Sequence, residues 1–533
     1  MVRHPCDEGV IRSKEAASAC TPNAARWVLA ATILGSSMAF IDETALPVAL
    51  PVIQGALGAT AVDAQWVVAA YTLFLAALIL VGGSLGDHLG RRRMFSIGIV
   101  LFTSASAWCG LSPSPEQLIA ARALQGVGAA LFVPNSLAII GASFEEERRG
   151  RAIGTWTSLT SVTLVLGPVL GGYLAENVSW RGVFFINIPL AIAVLAITRY
   201  RVPESRDPEA RRLDPLGAAL AAVGLGGVVF GLLESSRVGL GAPRVVVALV
   251  VGIAAMATFL VVEARGREPM VPLALFRSRN FTLANIFTLL LYFALVGTLF
   301  FLPFDLIWVQ GYSATLAGAA IVPTFVLMSV LSRYTGGLTD RYGPRLPLVL
   351  GPVIAAFAFA LFAVPGAPSG SSYSYWTTFF PPAVVLGMGL SILVPAVTTV
   401  ALNAVDVRHE GLASAINNAF SQTAGLLAVA VLGVLMFASF DSSLDNHLST
   451  LDLPTEARQQ LEEEKVELGG AQAPASLDAA MAAKVERAVD EAFVSGYRVV
   501  MLVATAIALA SATSAALLLE GKKPDEGPGR TLS

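Results

Sequence analysis

The chain has 533 residues, of which 55% are hydrophobic and only 14% charged, against roughly 25% charged in soluble domains. A soluble core cannot use that much apolar surface, whereas a bundle of membrane helices presents it to lipid. A net charge of −3 offers nothing to nucleic acid, and three cysteines (Cys6, Cys20, Cys109) without a CxxC pair predict neither disulfides nor a metal site.

Residues 1–26 are polar and hold no short apolar core with a cleavage site, so a tail is expected there and not a signal peptide. Beyond them, apolar runs long enough to span a bilayer recur about fourteen times. They fall at 27–50, 66–86, 94–111, 117–140, 152–175, 183–199, 216–234, 244–262, 281–303, 313–332, 346–364, 377–402, 411–439 and 494–518. The expected fold class is an all-α integral membrane protein. Loop charge orients it. With the N-terminus cytoplasmic, 26 Lys and Arg lie on the inner side and only three (Arg181, Arg237, Arg244) in short outer loops. By the positive-inside rule both termini are then cytoplasmic. The longest outer segment, 440–493, contains "EARQQLEEEKVEL" and predicts a short amphipathic helical hairpin that gates the outer mouth, docks a partner or is an inert insertion.

Several polar features break the apolar runs. In the first, "FIDETALP" (40–47) places Asp42 beside Glu43. Consecutive helical residues point about 100° apart, so the two acids occupy different faces. Asp42 shares its face with Ala31, Gly35, Met38, Ala39, Ala45 and Ala49, and Glu43 with Thr32, Ser36, Phe40, Pro47 and Leu50. In the fourth run Arg122 is an arginine in a membrane helix, which costs at least roughly 2.5–3.5 kcal/mol unless a partner or water offsets it. At about 1.5 Å per residue, Asp42, Arg122 and Gly167 each lie about 8 Å below the outer edge of the hydrocarbon core. Arg122 is expected to meet the first-helix acids directly or through water, either as a proton-carrying group or as a purely structural ion pair. In "GPVLGG" (167–172), Gly167, Pro168, Gly171 and Gly172 predict a kink and a smooth helix face.

The chain also repeats. "GSLGDHLGRR" (83–92) after the second run matches "GGLTDRYGPR" (336–345) after the tenth, at an offset of 253 that aligns Asp87 with Asp340 and carries residue 27 onto 280. This predicts six-helix bundles over 27–200 and 281–518, two inserted helices over 216–262, and a cytoplasmic tail at 519–533. Parallel halves around a midplane cavity are a transporter architecture.

These segments together resemble the fourteen-span drug:proton antiporter branch of the major facilitator superfamily. Residues 83–92 match its signature after the second helix, and "LIAARALQGVGAA" (118–130) matches its fourth-helix motif at Arg122, Gln125, Gly126, Gly128, Ala129 and Ala130. "GPVLGG" matches most of its fifth-helix motif, with Thr163 in place of the leading glycine. The first-helix pattern is met at Asp42, Thr44, Ala49, Leu50 and Pro51, with Pro47 in place of an asparagine. "SWRGVFFINIP" (179–189) and "PMVPLALFRSRNF" (269–281) resemble further stretches of this branch.

The resemblance implies a multi-pass protein of the cytoplasmic membrane that exports amphipathic, cationic drugs or toxic compounds in exchange for protons. Its partners would be a small-molecule substrate, protons and the lipid bilayer, with no nucleic acid and a monomeric state; no cofactor is implied, the proton gradient supplying the energy. Asp42, Glu43 and Arg122 would couple the proton. Gly83, Asp87, Gly90, Arg91, Arg92 and Asp340 would form a latch between the halves, for which a simple topogenic charge cluster is the plainer reading. Gln125, Asp305, Asn417, Asn418 and Gln422 are expected along the substrate path. For the stripe Ser414, Asn417, Asn418, Ser421 and Gln422, interhelical hydrogen bonding explains the spacing nearly as well, and Asp305 reads equally as a solvated loop acid. The alternatives are an exporter of an endogenous metabolite, siderophore or lipid, and a non-transporting receptor or scaffold. Enzymatic chemistry is not expected. "GGSLG" (82–86) satisfies GxSxG only at the end of a membrane helix, and there is no GxxxxGK[ST] or HExxH.

Overall fold

A computed structural model describes residues 11–12, 22–207, 214–266, 269–368, 373–404 and 410–518. Among them are fourteen helices long and apolar enough to cross a membrane: α1 Ala25–Leu57, α2 Ala61–Leu89, α3 Arg91–Leu111, α4 Pro115–Ser143, α5 Arg148–Ser179, α6 Gly182–Arg201, α7 Pro215–Val238, α8 Pro243–Arg265, α9 Arg279–Val309, α10 Ala314–Thr335, α11 Arg345–Phe362, α12 Phe380–Ala401, α13 Leu412–Ser449 and α14 Ala479–Leu518. Each apolar run of the sequence lies on one of them. The even number puts the start of α1 and the end of α14 on the same face, here termed the terminal face; the other is the distal face. The tail at 519–533 and most of 1–26 lie outside the described residues, apart from a two-residue parallel pairing of Ile11–Arg12 with Ser205–Arg206.

The helices start and stop where local chemistry directs. Thr60 and Asp63 form a reciprocal capping box at the start of α2, satisfying two backbone donors that would otherwise be orphaned. Proline opens α4, α7 and α8, where its missing N–H costs nothing. The distal ends of α5 and α9 widen into π-helical turns at Ala175–Ser179 and Asp305–Val309.

Helix spacing is set by glycine. A Cβ on Gly82 would fall on the Ala130 carbonyl, one on Gly86 on the Asn135 amide, and one on Gly126 on the Tyr71 carbonyl. α2 and α4 therefore meet backbone to backbone, which lipid-embedded helices need because no hydrophobic effect drives them together. By contrast α8 exposes Val246, Val247, Val250, Val251 and Ile253, an apolar face suited to lipid. α7 packs on α2 and α13, so it touches both halves. The offset of 253 carries α2 (61–89) onto 314–342, which holds α10 and the short helix Leu338–Tyr342.

The two halves close against each other at the distal face. There a Cβ on Gly172 would meet the backbone of Ala314, and one on Gly318 the backbone of Pro168. Glu176 accepts hydrogen bonds from the Thr315 amide at 2.9 Å and hydroxyl at 2.5 Å. Toward the terminal face the same two helices carry exposed residues: Thr155, Thr157, Ser158, Leu159 and Val162 of α5 and Val326, Val330 and Tyr334 of α10.

The outer segment is more substantial than a short hairpin. α13 continues to Ser449 and α14 begins at Ala479, with a helix at Thr455–Glu464 and a 3₁₀ turn at Lys465–Gly470 between them. Apolar content stops near 439, but amphipathic helix continues, with acids on one face. Lys465, nearly buried, gathers Asp445 at 2.5 Å, Glu462 at 2.9 Å and Asp441 at 3.0 Å. The turn lies over Trp308 and Phe493 through Gly469, and the Glu467 carbonyl accepts a 3.1 Å bond from Gln54 of α1. The segment thus touches both halves across the distal mouth.

Candidate functional site

Inside the membrane-spanning region a closed polar network joins α1, α2 and α4. Arg122 is 1% exposed and Asp42 0%. Arg122 Nη1 donates to Asp42 Oδ2 at 2.5 Å and to Gln125 Oε1 at 2.8 Å. Gln125 Nε2 donates to Asp42 Oδ1 at 2.8 Å, so both carboxylate oxygens are engaged. Arg122 Nε donates to the Val67 carbonyl at 3.0 Å, and the guanidinium lies 4.4 Å from the centre of the Tyr71 ring. Cys109 Sγ adds a 3.5 Å contact to Gln125 Oε1. A buried ion pair is tolerated only when further hydrogen bonds satisfy its remaining atoms, and the carbonyl, the amide and the ring do so here. The expected meeting of Arg122 with the first-helix acids is direct for Asp42.

Glu43 stands apart. It is exposed although Asp42 beside it is not, and among the described residues it has no hydrogen-bond or ion-pair partner. Helix α1 packs on α4, α5 and α6 and also touches α9 and α10, so the exposed Glu43 side chain faces a gap between helices. Phe40 and Pro47, on the same helix face, are half-buried.

α5 crosses α1 at this level. A Cβ on Gly167 would fall on the Thr44 hydroxyl and one on Gly171 on the Ala45 backbone. Pro168 lies inside the helix between them, and Gly172 faces α10. Asp42, Arg122 and Gly167 therefore share one layer, as their sequence depths predict.

The loop at the end of α2 makes several bonds to its own half. Asp87 pairs with Arg91 at 2.8 Å. Gly90 has φ +113°, and a Cβ there would meet the Glu204 carboxylate. Glu204 accepts from the Arg92 amide at 2.9 Å and the Arg93 amide at 3.2 Å, an anion at the positive end of α3. Arg92 also donates to the Val202 carbonyl at 3.1 Å. Gly83 makes only ordinary contact with Pro134. Asp87, Arg91 and Arg92 make these bonds within the first half, and Asp340 lies in Leu338–Tyr342 with its side chain outside the described residues. Sequence reasoning missed Glu204, which lies 112 residues from Arg92 and carries no local signal.

The expected substrate-path residues separate. Gln125 is fully buried and closes the Arg122 network instead of facing a path. Asp305 is 2% exposed because α9 continues past it into a π turn, so it is not a solvated loop acid; its Oδ2 has no hydrogen-bond partner. Asn417 donates to Thr288 Oγ1 at 2.7 Å and Asn285 Oδ1 at 3.2 Å, the interhelical reading of the stripe. Asn418 is exposed and Gln422 half-buried. Among the described residues no group of three or more His, Cys, Asp or Glu is placed to hold a metal ion.

Comparison with known proteins agrees with this arrangement. Multidrug resistance protein Stp of Mycobacterium tuberculosis (strain CDC 1551 / Oshkosh) is 33% identical over 486 residues, covering 90% of this chain and 89% of its own. The tetracenomycin C resistance and export protein of Streptomyces glaucescens is 31% identical over 502 residues, covering 93% and 92%. Among solved structures, a bacterial homolog of the human lysosomal transporter Spinster, inward-facing and unoccupied, superposes with a TM-score of 0.62 at 18% identity, covering 93% of this chain and 98% of that one. A POT family transporter bound to a thioalcohol-conjugated peptide gives a TM-score of 0.63 at 13% identity, over 94% and 97%. The profile of the Major Facilitator Superfamily matches residues 32–429, and the chain belongs to that superfamily: it is a multi-pass membrane transporter.

Proposed function

We propose that this transporter exports amphipathic, cationic drugs or toxic compounds across the cytoplasmic membrane in exchange for protons, with both termini cytoplasmic. The observation that carries the reading is the buried Asp42–Arg122–Gln125 network in the layer where α5 crosses α1 through glycine. The relatives' names support a drug as cargo, and the excess of Lys and Arg in the loops of the terminal face supports the orientation. In that orientation the face closed by Gly172, Gly318 and Glu176 is the outer one.

A proton reaching Asp42 removes the charge that holds Arg122. The guanidinium then gains by moving toward another acceptor, and the α1–α4 contact loses its ionic member. A ligand shifts a two-state equilibrium only by its differential affinity for the states. Proton and cationic substrate each add positive charge to this layer, so binding of one disfavours the other, which is the competition that exchange requires. Asp87, Arg91, Arg92, Gly83, Gly90 and Asp340 then serve as the latch that joins the halves when the cytoplasmic side closes. Gly167, Pro168, Gly171 and Gly172 give α5 the smooth face along which the distal side opens.

The test is proton-gradient-driven efflux from proteoliposomes with a panel of dye and drug cations. Wild-type protein is expected to move several members and Asp42→Asn to lose the dependence on the gradient. Undiminished coupled efflux by Asp42→Asn would overturn the assignment of Asp42.

A further inference from the structure

The two adjacent acids of α1 differ in every respect that matters to a ligand. Asp42 has both oxygens occupied by Arg122 and Gln125 and is wholly buried. Glu43 is exposed and has no hydrogen-bond or ion-pair partner among the described residues. Its own helix face brings Phe40 one turn away, and Phe40 meets Trp156 of α5 in a tilted arrangement, with ring centres 6.4 Å apart and planes at 60°. Trp156 is half-buried, and its Nε1 is a buried donor without a hydrogen-bond partner among the described residues. From the opposite half, Tyr292 of α9 is half-buried within electrostatic reach of Glu43.

We propose that Glu43, with the Phe40–Trp156 pair, is the site that recognises the positive charge of a monovalent organic cation, while Asp42 serves the proton. An unpaired carboxylate beside aromatic rings is the chemistry that binds a delocalised or quaternary cation, through charge and through the negative ring faces. Separate acids on separate faces let proton and substrate be handled by neighbouring residues without sharing one set of oxygens. The inference rests on the transport reading above and names its substrate class.

Tetraphenylphosphonium is the probe, with its binding to the purified full-length chain in detergent measured by calorimetry. Glu43→Gln is expected to weaken it about tenfold or more, corresponding to about 1.4 kcal/mol. Glu43→Asp, which keeps the charge, stays within about threefold of wild type. Thermal unfolding of each variant shows whether it has folded, and Glu43→Asp keeps the test open if Glu43→Gln has not. Glu43→Gln binding within about twofold of wild type would overturn the inference. So would Glu43→Asp binding as weakly as a folded Glu43→Gln, or a wild type that does not bind the probe. Failure of the wider reading looks different: the probe binds through Glu43 but is not moved by a proton gradient in proteoliposomes.

Discussion

Replacing Asp42 by asparagine changes one atom and unsettles the whole network. The Asn oxygen can keep the bond to Arg122, but the new amide group then faces Gln125 Nε2, a donor against a donor at the 2.8 Å position. Turning Gln125 over moves the conflict, because its Oε1 is the acceptor for Arg122 Nη1. No arrangement of these three groups satisfies all donors, and Arg122 keeps its charge in a site 1% exposed. Breaking a buried pair from one side costs about 3–5 kcal/mol. Retained contacts to Val67 and Tyr71 place the expected loss near the lower end, about 3 kcal/mol. At about 2–4 °C per kcal/mol for a unit the size of one half, the apparent melting temperature should fall by about 6–12 °C. The assay is intrinsic-fluorescence unfolding in detergent, with Arg122→Gln added to Asp42→Asn as the second arm. Removing both charges leaves neutral groups with good partners, so the double variant should recover more than half of the loss. A single variant within 2 °C of wild type (about the smallest shift that a 1 kcal/mol effect would give) would refute the reasoning. So would a double variant no more stable than the single one.

Asp305→Asn should leave stability unchanged or raise it, since the carboxylate has an unpartnered buried oxygen; a fall in melting temperature would show that it has a partner. Gly172→Val should force α5 from Ala314 and open the distal face, read as faster thiol labelling of Ser313→Cys against a cysteine-free background. Glu204→Gln should cost about 0.5–2 kcal/mol by weakening the anchor at the start of α3, read in the same unfolding assay. Burial alone would lower the Lys465 pKa, but the hydrogen bonds it donates to Asp445, Glu462 and Asp441 outweigh that and hold it above the usual lysine value. A raised lysine pKa stabilises below the unfolded value and is lost only as pH rises through the folded one. The distal segment should therefore resist proteolysis unchanged from pH 6 to about 9 and loosen in strong alkali, while Lys465→Met should be cut within 450–478 at neutral pH.

The parts of this molecule legible in the sequence are those where lipid makes the penalty for error large. Fourteen apolar runs fall on fourteen helices, and Asp42 and Arg122 stand out because charge in a membrane helix demands a partner. Their common depth followed from 1.5 Å per residue along straight helices. What stayed hidden depends on atoms far apart in the chain. Gln125 looks like a pathway residue until the helix rotation places it between Asp42 and Arg122. Glu204 belongs to the 83–92 loop only after six helices have folded. Amphipathic helix is expected in 440–493, but the continuity of α13 to Ser449 and of α14 from Ala479 is hidden because apolar content alone does not mark it.

The seam between α5 and α10 is built from Gly172 against Ala314 and Gly318 against Pro168. Main chain resting on main chain has no rotamers to freeze when the surfaces meet and none to release when they part. The side-chain entropy that ordinarily accompanies joining two helices, up to about 1.5–2 kcal/mol for each long residue ordered, is absent from this line of contact. Such a seam acts as a smooth bearing: it fixes where the halves touch while adding little to the work of separating them. The strength of closure then resides at its polar edge, in Glu176 and Thr315, and in the segment tied across the mouth through Gln54.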